Sequence, residues 1–175
     1  MTTAGTEPGE PAGIGLGSNL GGRLEHLRTA LDALRTTCGP ILAASAVYET
    51  EPVGCEPGTP PFLNAVVEIR FTGPPVALLE RLRGIEADMG RPSRRPRNAP
   101  RPIDLDLLYL GNRAFSSSEL LIPHPRLHLR RFALEPLASL RPGLVLPGQS
   151  LTVAGLLAAC PDPARVTRRA EPLLP

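Results

Sequence analysis

The 175-residue chain has no lysine and no tryptophan, and its aromatic side chains are four phenylalanines and two tyrosines. Each shortage narrows the reading. All 19 basic side chains are arginine, a uniform bias, so arginine in place of lysine at any one position carries little information. The three cysteines, Cys38, Cys55 and Cys160, are odd in number, far apart and match no zinc-ligand spacing. They point to a reduced, cytoplasmic compartment. A net charge of only +2 supplies no global field for nucleic acid. Six aromatics and no RNP-like run leave little for the stacking face of an RNA-binding sheet. The N-terminus has no charged segment followed by an apolar one, so no secretory signal is expected. No apolar run is long enough to span a membrane.

Hydrophobic residues make up 42% of the chain, enough for one domain with a normal core. Residues 1–11 are Thr, Gly, Glu and Pro in the main and are expected to be a disordered extension. The domain is expected over 12–160, with a loose Pro- and Arg-rich tail over 161–175. Ala12–Leu16 reads as a short strand whose glycines suit close approach by a neighbour or ligand. Gly17–Gly22 is a turn. Leu24, Leu27, Leu31 and Leu34 form one stripe of a helix over Arg23–Thr37, stopped at Gly39-Pro40. Ile41–Thr50 reads as a strand, Glu51–Pro61 as a long loop of the functional kind, and Phe62–Phe71 as another strand. A second helix starts at Gly73-Pro74-Pro75 with a stripe of Val76, Leu79, Leu82, Ile85 and Met89. Ile103–Leu110 is a further strand. The order βαββαβ predicts an α+β, ferredoxin-like core: a four-stranded antiparallel sheet with both helices on one face. Helices over Phe132–Leu140 and Leu151–Ala159 follow as C-terminal additions.

The chemistry gathers in Arg91–Gly111, RPSRRPRNAPRPIDLDLLYLG. Alternation puts Asp104 and Asp106 on one face of the strand, and Ile103, Leu105, Leu107 and Tyr109 on the other. Two adjacent carboxylates on a buried strand repel each other and lose hydration. A hard divalent cation is the simplest compensation, and two of the five aspartates in the chain stand here. Arg91, Arg94, Arg95, Arg97 and Arg101 crowd the preceding loop, which suits Mg²⁺ with a polyphosphate. The plainer alternatives are a half-exposed strand whose aspartates face water and a solvated arginine linker. Asn64 is either a turn-side amide or a ligand's donor and acceptor. His124, set between two prolines, is by type more often structural than catalytic.

Five motifs carry a resemblance: GLGSN, VYETEPVG with PPFLNAVV, IEADMGR, RNAPRPIDLDLLYLG, and IPHPRLHLRRFALEPL. Their order and spacing over Ile14–Leu146 resemble the 6-hydroxymethyl-7,8-dihydropterin pyrophosphokinase family of the folate pathway. The resemblance implies transfer of the β,γ-pyrophosphoryl group of ATP to the hydroxymethyl oxygen of the reduced pterin, with release of AMP. It implies two Mg²⁺ ions held by Asp104 and Asp106, and a catalytic set of Asp104, Asp106, Arg91 and Arg101. Phe62 and Phe132 match the aromatics that sandwich the pterin, Asn64 the amide that reads its edge, and Thr50 and Val53 the segment lining its pocket. For ATP, Glu86, Arg91, Arg101, Leu107, His124 and Arg130 fall on nucleotide-binding positions, Leu107 by backbone and side chain.

The implied partners are small molecules, ATP and the hydroxymethyldihydropterin, with no nucleic acid and no membrane. The chain is expected to be a monomer. The sequence departs from the family at Asn98, where many members carry a tryptophan, and at Pro125, where some carry an aromatic that contacts ATP. Two other classes share features with this chain: a regulatory or RNA-binding ferredoxin-like module, and a two-metal phosphohydrolase using the same acidic pair.

Overall fold

The computed structural model describes residues 9–52, 57–91 and 100–174. Residues 1–8 of the expected extension, and Val53, Cys55, Arg94, Arg95, Arg97 and Asn98, lie outside the described residues. In chain order the elements are β1 (Glu10–Ser18), α1 (Arg23–Thr37), β2 (Ile41–Ala44), β3 (Tyr48–Thr50), β4 (Phe62–Phe71), α2 (Pro75–Asp88), β5 (Asp104–Leu110), β6 (Phe115–Ser116), β7 (Leu121–Ile122), α3 (Arg131–Leu140), α4 (Val153–Ala158) and β8 (Val166–Arg168). A single turn of 3-10 helix, Leu127–Leu129, precedes α3. No helix among the described residues is long and apolar enough to cross a membrane.

β4 explains the layering. Its residues are mostly β-branched, aliphatic or aromatic, which favours extended backbone. Leu63, Ala65, Val67, Ile69 and Phe71 point into one core and Val66 into another. Apolar residues serve both faces, so the run is apolar apart from Asn64, Glu68 and Arg70. α1 (Leu27, Leu31, Leu34) and α2 (Leu78, Leu82, Ile85) cover the first face. α3 (Leu134, Leu137) and α4 (Val153, Leu156) cover part of the second. Each fully buried leucine here stabilises the fold by roughly 1.5–3 kcal/mol relative to an exposed one.

The sheet order is β5-β1-β4-β3-β8, with β2 also on β4. All of its pairings are antiparallel. Six strands thus stand where four were expected, for two reasons. First, Ile41–Thr50 is not one strand. Between the pairs Ala44↔Val67 and Tyr48↔Asn64 the chain carries one residue more than β4. There the Ser45 hydroxyl takes the place of a ladder carbonyl, accepting the Val66 N–H at 2.9 Å. Second, the tail is not loose: β8 pairs with β3, from Tyr48↔Arg168 to Thr50↔Val166, and Leu173 is buried in the core.

Three smaller corrections follow. β1 begins at Glu10, inside the segment expected to be disordered, because it pairs along the full length of β4, from Glu10↔Phe71 to Ser18↔Leu63. Val76 is exposed and Leu78 buried, so the α2 stripe starts on Pro75 and Leu78. Tyr109 leaves the face of Leu105 and Leu107. The register against β1 jumps from Gly13↔Tyr109 to Ile14↔Leu107, a bulge that puts Leu108 and Tyr109 together in the second core.

Candidate active site

Where β1 ends and β4 and β5 begin, the second face of the sheet is not covered by α4. A cavity of about 740 Å³ opens there. Its floor is made by Gly15 and Gly17. Gly15 pairs with Val66 and Asp106, and Gly17 pairs with Asn64 and Asp104. With no side chains in the middle row, the two carboxylates on one flank and the amide on the other face open space. The walls come from Thr50, Glu51 and Phe62 on one side, and Arg126, Leu129, Arg130 and Phe132 with Pro161 and Asp162 on the other.

Asp104 and Asp106 share this face, as their spacing on a strand requires. Each is compensated by arginine. Arg91 and Arg101 both bind Asp104, the latter at 2.8 Å, and Arg130 binds Asp106 at 2.8 Å. All three arginines are largely covered, with 18–24% of each side chain exposed, so these pairs are screened less than surface ones. Among the described residues no cluster of three or more His, Cys, Asp or Glu side chains is placed to hold a metal. The carboxylate donor set in the cavity floor is this pair.

The rings stand opposite one another in role. The Arg101 guanidinium lies 5.2 Å from the centre of the Phe62 ring, and Arg130 lies 5.6 Å from that of Phe132, within cation–π range. Asn64 is buried. Its Nδ2 donates to Thr50 Oγ1 at 3.0 Å, which leaves Oδ1 on the side of Gly17. Thr50 therefore fixes which edge of the amide a ligand meets.

Other positions singled out in the sequence are placed differently. Glu86 does not line the cavity: it binds Arg91 and accepts the Leu105 N–H at 2.7 Å, so it anchors the start of β5 from behind. Arg91 likewise reaches Asp104 from outside the lining. The Leu107 side chain is buried in the helix-covered core, because alternation along β5 turns it away from Asp106. His124 stands beside the cavity. Its N–H donates to the Leu108 carbonyl at 2.8 Å, and its Nδ1 accepts the Arg126 N–H at 3.2 Å. Burial pushes this imidazole below its ordinary range. The Asp106 carboxylate opposes that, and Arg130 and Arg126 reinforce it. Val53 lies outside the described residues.

Asn19 has a role that its place in a turn does not reveal. It is fully buried. Its Oδ1 accepts the Arg101 N–H at 2.9 Å, and its own N–H donates to the Arg101 carbonyl at 3.2 Å. This reciprocal pair fixes Arg101 where the chain enters β5. Arg126, Leu129, Pro161 and Asp162 in the wall also escaped the sequence reading. The GLGSN motif was the only available signal for Asn19, and a lone acid between prolines offered none for Asp162.

Behind the floor, Glu68 is buried and binds the Tyr109 hydroxyl and the Arg141 guanidinium. Burial pushes its carboxyl up, but the bonds from Arg141 and Tyr109 outweigh that and hold it below the usual range. Burial and the same bond push the Tyr109 hydroxyl up. This network ties β4 and β5 to the end of α3.

Residues 13–142 match the model of the family described as 7,8-dihydro-6-hydroxymethylpterin-pyrophosphokinase. The chain is 41% identical over 128 residues to the 2-amino-4-hydroxy-6-hydroxymethyldihydropteridine pyrophosphokinase of Bacillus subtilis, covering 73% of this chain and 75% of that protein. It is 39% identical over 150 residues to the protein of the same name from Pseudomonas aeruginosa, covering 85% and 90%. It spans much less of fused relatives, 29% of an Arabidopsis thaliana folate synthesis bifunctional protein. The fold resembles the crystal structure of Plasmodium falciparum HPPK-DHPS with pterin and p-hydroxybenzoate, at a TM-score of 0.71 and 16% identity, over 89% of this chain and 44% of that one. The chain belongs to the 7,8-dihydro-6-hydroxymethylpterin-pyrophosphokinase family.

Proposed function

We propose that the chain transfers the pyrophosphoryl group of ATP to the hydroxymethyl oxygen of 6-hydroxymethyl-7,8-dihydropterin, giving AMP and the dihydropterin pyrophosphate for folate synthesis. Family membership supports this reading. The observation that carries it in the molecule is the juxtaposition, across a bare glycine floor, of an amide flanked by two phenylalanines with a carboxylate pair ringed by arginines. The first half suits a flat heterocycle with a polar edge, and the second suits polyphosphate.

Phe62 and Phe132 hold the pterin by its faces. Asn64, locked by Thr50, reads its edge, and the Glu51 segment closes the pocket. Arg101, Arg91 and Arg130 are the neutralising set for the phosphates, because guanidinium matches phosphate oxygens in charge and geometry. His124, kept largely neutral by burial, supplies a hydrogen-bond group beside Asp106. The role of Glu86 is to orient Arg91 and β5, and any contact of Leu107 with the nucleotide is through its backbone. The hydroxymethyl oxygen bonds to the β-phosphorus, the bond to the oxygen retained by AMP breaks, and the hydroxyl proton is lost. Positioning and charge neutralisation are the main needs of such a transfer.

Asp104 and Asp106 fit two Mg²⁺ ions. They are hard oxygen donors on one face that line the cavity, and Mg²⁺ favours one or two carboxylates with substrate phosphates and water. When bound there, such ions would supply charge neutralisation and would lower the pKa of a nearby hydroxyl. We read β1, α1, β2–β3, β4, α2 and β5 as a ferredoxin-like core, with α3, α4 and β8 as additions. A cytoplasmic monomer fits the cysteine usage and the small substrates. The test is a nucleotide assay with ATP, Mg²⁺ and 6-hydroxymethyl-7,8-dihydropterin. AMP forming only when pterin is present is expected; ADP, or phosphate release without pterin, would refute the reading.

A further inference from the structure

The wall of the cavity includes Pro161 and Asp162, which lie beyond the residues 13–142 that match the family model. α3 begins there, and it has a problem at its start. Its N-cap is Arg130, with no side-chain cap, and its first turn contains no acid. Arg130 and Arg131 thus stand at the positive end of the helix dipole, an unfavourable arrangement by itself. Asp162 corrects it from a distance in sequence. Its Oδ2 accepts the Arg131 N–H at 3.1 Å, and its Oδ1 accepts the Ala164 N–H at 2.9 Å. The Arg131 side chain closes the bracket, donating to the Asp162 and Cys160 carbonyls at 3.0 and 3.2 Å. Buried Cys160 and Ala164 pin the segment at both ends.

We infer that Asp162 is a positioning residue for the transfer: it caps α3 in place of a local N-cap and so sets Arg130 against Asp106 and Phe132 against the pterin. Each of its oxygens accepts a backbone N–H, and through these bonds it acts on the site by way of α3, besides lining the cavity. The residues it holds are neighbours in sequence with different tasks. Arg130 binds Asp106, and Phe132 forms the wall of the heterocycle pocket. A slackened first turn would therefore disturb both halves of the site together. This inference rests on the proposed function for what Phe132 binds, but not for the cap itself.

The test uses the full chain with Asp162→Ala and Asp162→Asn. Asparagine keeps one acceptor oxygen, for the Arg131 N–H, and loses the second, which meets the Ala164 N–H, so it separates capping of α3 from loss of the whole side chain. In the alanine variant, hydrogen exchange at the Arg131 amide is expected to speed up by about fivefold, the worth of a typical cap. The dissociation constant of hydroxymethyldihydropterin, titrated with Mg²⁺ and a non-hydrolysable ATP analogue, should rise by a similar factor. Asparagine should restore both in part, since it keeps the acceptor for the Arg131 N–H and loses the one for the Ala164 N–H. Unchanged exchange at Arg131 would overturn the inference. So would exchange rising uniformly over the sheet with pterin affinity unchanged, or asparagine failing as badly as alanine. If the alanine variant does not fold, Asp162→Ser takes its place with the same readouts. Wild-type protein that makes no AMP would refute the proposed function and leave the exchange result to decide the cap.

Discussion

A single methyl group added at Gly17 should separate stability from activity. Gly17 lies in a central strand with ordinary extended backbone, so alanine there gains about 0.5–1 kcal/mol through the smaller entropy of the unfolded chain. Against this, the new Cβ would sit 3.2 Å from Asn64 Oδ1, and 3.9 Å from both Asp104 Cβ and Phe62 Cδ1. Only the first contact is tight. The amide can relieve it by a shift of a few tenths of an ångström, at a cost below the ~1–3 kcal/mol of true overpacking. The two effects nearly cancel, so Tm should stay within about 2–4 °C of wild type.

Activity has no such compensation. Asn64 cannot turn freely, because Thr50 holds its Nδ2, so its shift moves the acceptor proposed to read the pterin. Misplacement by ~1 Å can cost ~100-fold; a few tenths should cost about tenfold in kcat/KM for pterin, with a smaller effect on the KM for ATP. Gly15→Ala is the control. Its Cβ would make only ordinary contacts, 3.5 Å from Leu108 and 3.8 Å from Asp106 Cβ, so no neighbour has to move and the Asn64 amide stays where it is. Steady-state kinetics and thermal unfolding on the two variants decide the matter. Gly17→Ala with pterin kcat/KM within twofold of wild type, or Gly15→Ala worse than Gly17→Ala, would refute the placement of the amide.

Further outcomes follow from the same geometry. Gly13→Ala puts a carbon 2.1 Å from the buried Tyr109 ring and strains the bond to Glu68, so it should cost about 2–4 kcal/mol in urea unfolding. Glu68→Gln should lower Tm by about 3–6 °C at neutral pH. The Glu68 pKa is lowered from 4.5, so its stabilisation is present above that value and fades as pH falls through the lower folded one; the difference in Tm between wild type and variant should shrink below pH 4.5. Asp104→Ala should reduce AMP formation on the order of 10³-fold, and normal turnover would remove it from the proposed metal-binding pair. Mg²⁺ without nucleotide should raise Tm far less than Mg²⁺ with ATP, read by thermal shift.

Where the sequence is locally self-consistent it can be read directly. α1 runs from Arg23 to Thr37 as its leucine spacing requires, and Gly39, at φ +140°, ends it where any Cβ would meet the Arg70 carbonyl. β4 needs no neighbour to declare itself. The Asp pair shares a face because alternation along three residues cannot do otherwise. What fails to show depends on a second strand or a distant segment. Tyr109 changes face through a bulge that only the register against β1 defines. Ser45 breaks a strand by offering its hydroxyl to a backbone partner 21 residues away. β8 is short and half polar, and exists because β3 has an edge to cover. Glu86 sits near the helical stripe, and nothing local distinguishes an anchor for Arg91 from a nucleotide ligand.

The charges around the cavity also bear on how the site is used. Asp104, Asp106 and Glu86 are met by Arg91, Arg101 and Arg130, so within this set of described residues each acid has an arginine. A bare divalent cation entering this set would find its carboxylates already engaged and three guanidinium groups close by, and its own dehydration would be poorly compensated. A polyphosphate alone would meet the two carboxylates. On the proposed function, cation and polyphosphate together would remove both objections, the phosphates meeting the arginines and the carboxylates meeting the cation. Two of those arginines also lie over Phe62 and Phe132, so drawing them toward phosphate uncovers the ring faces.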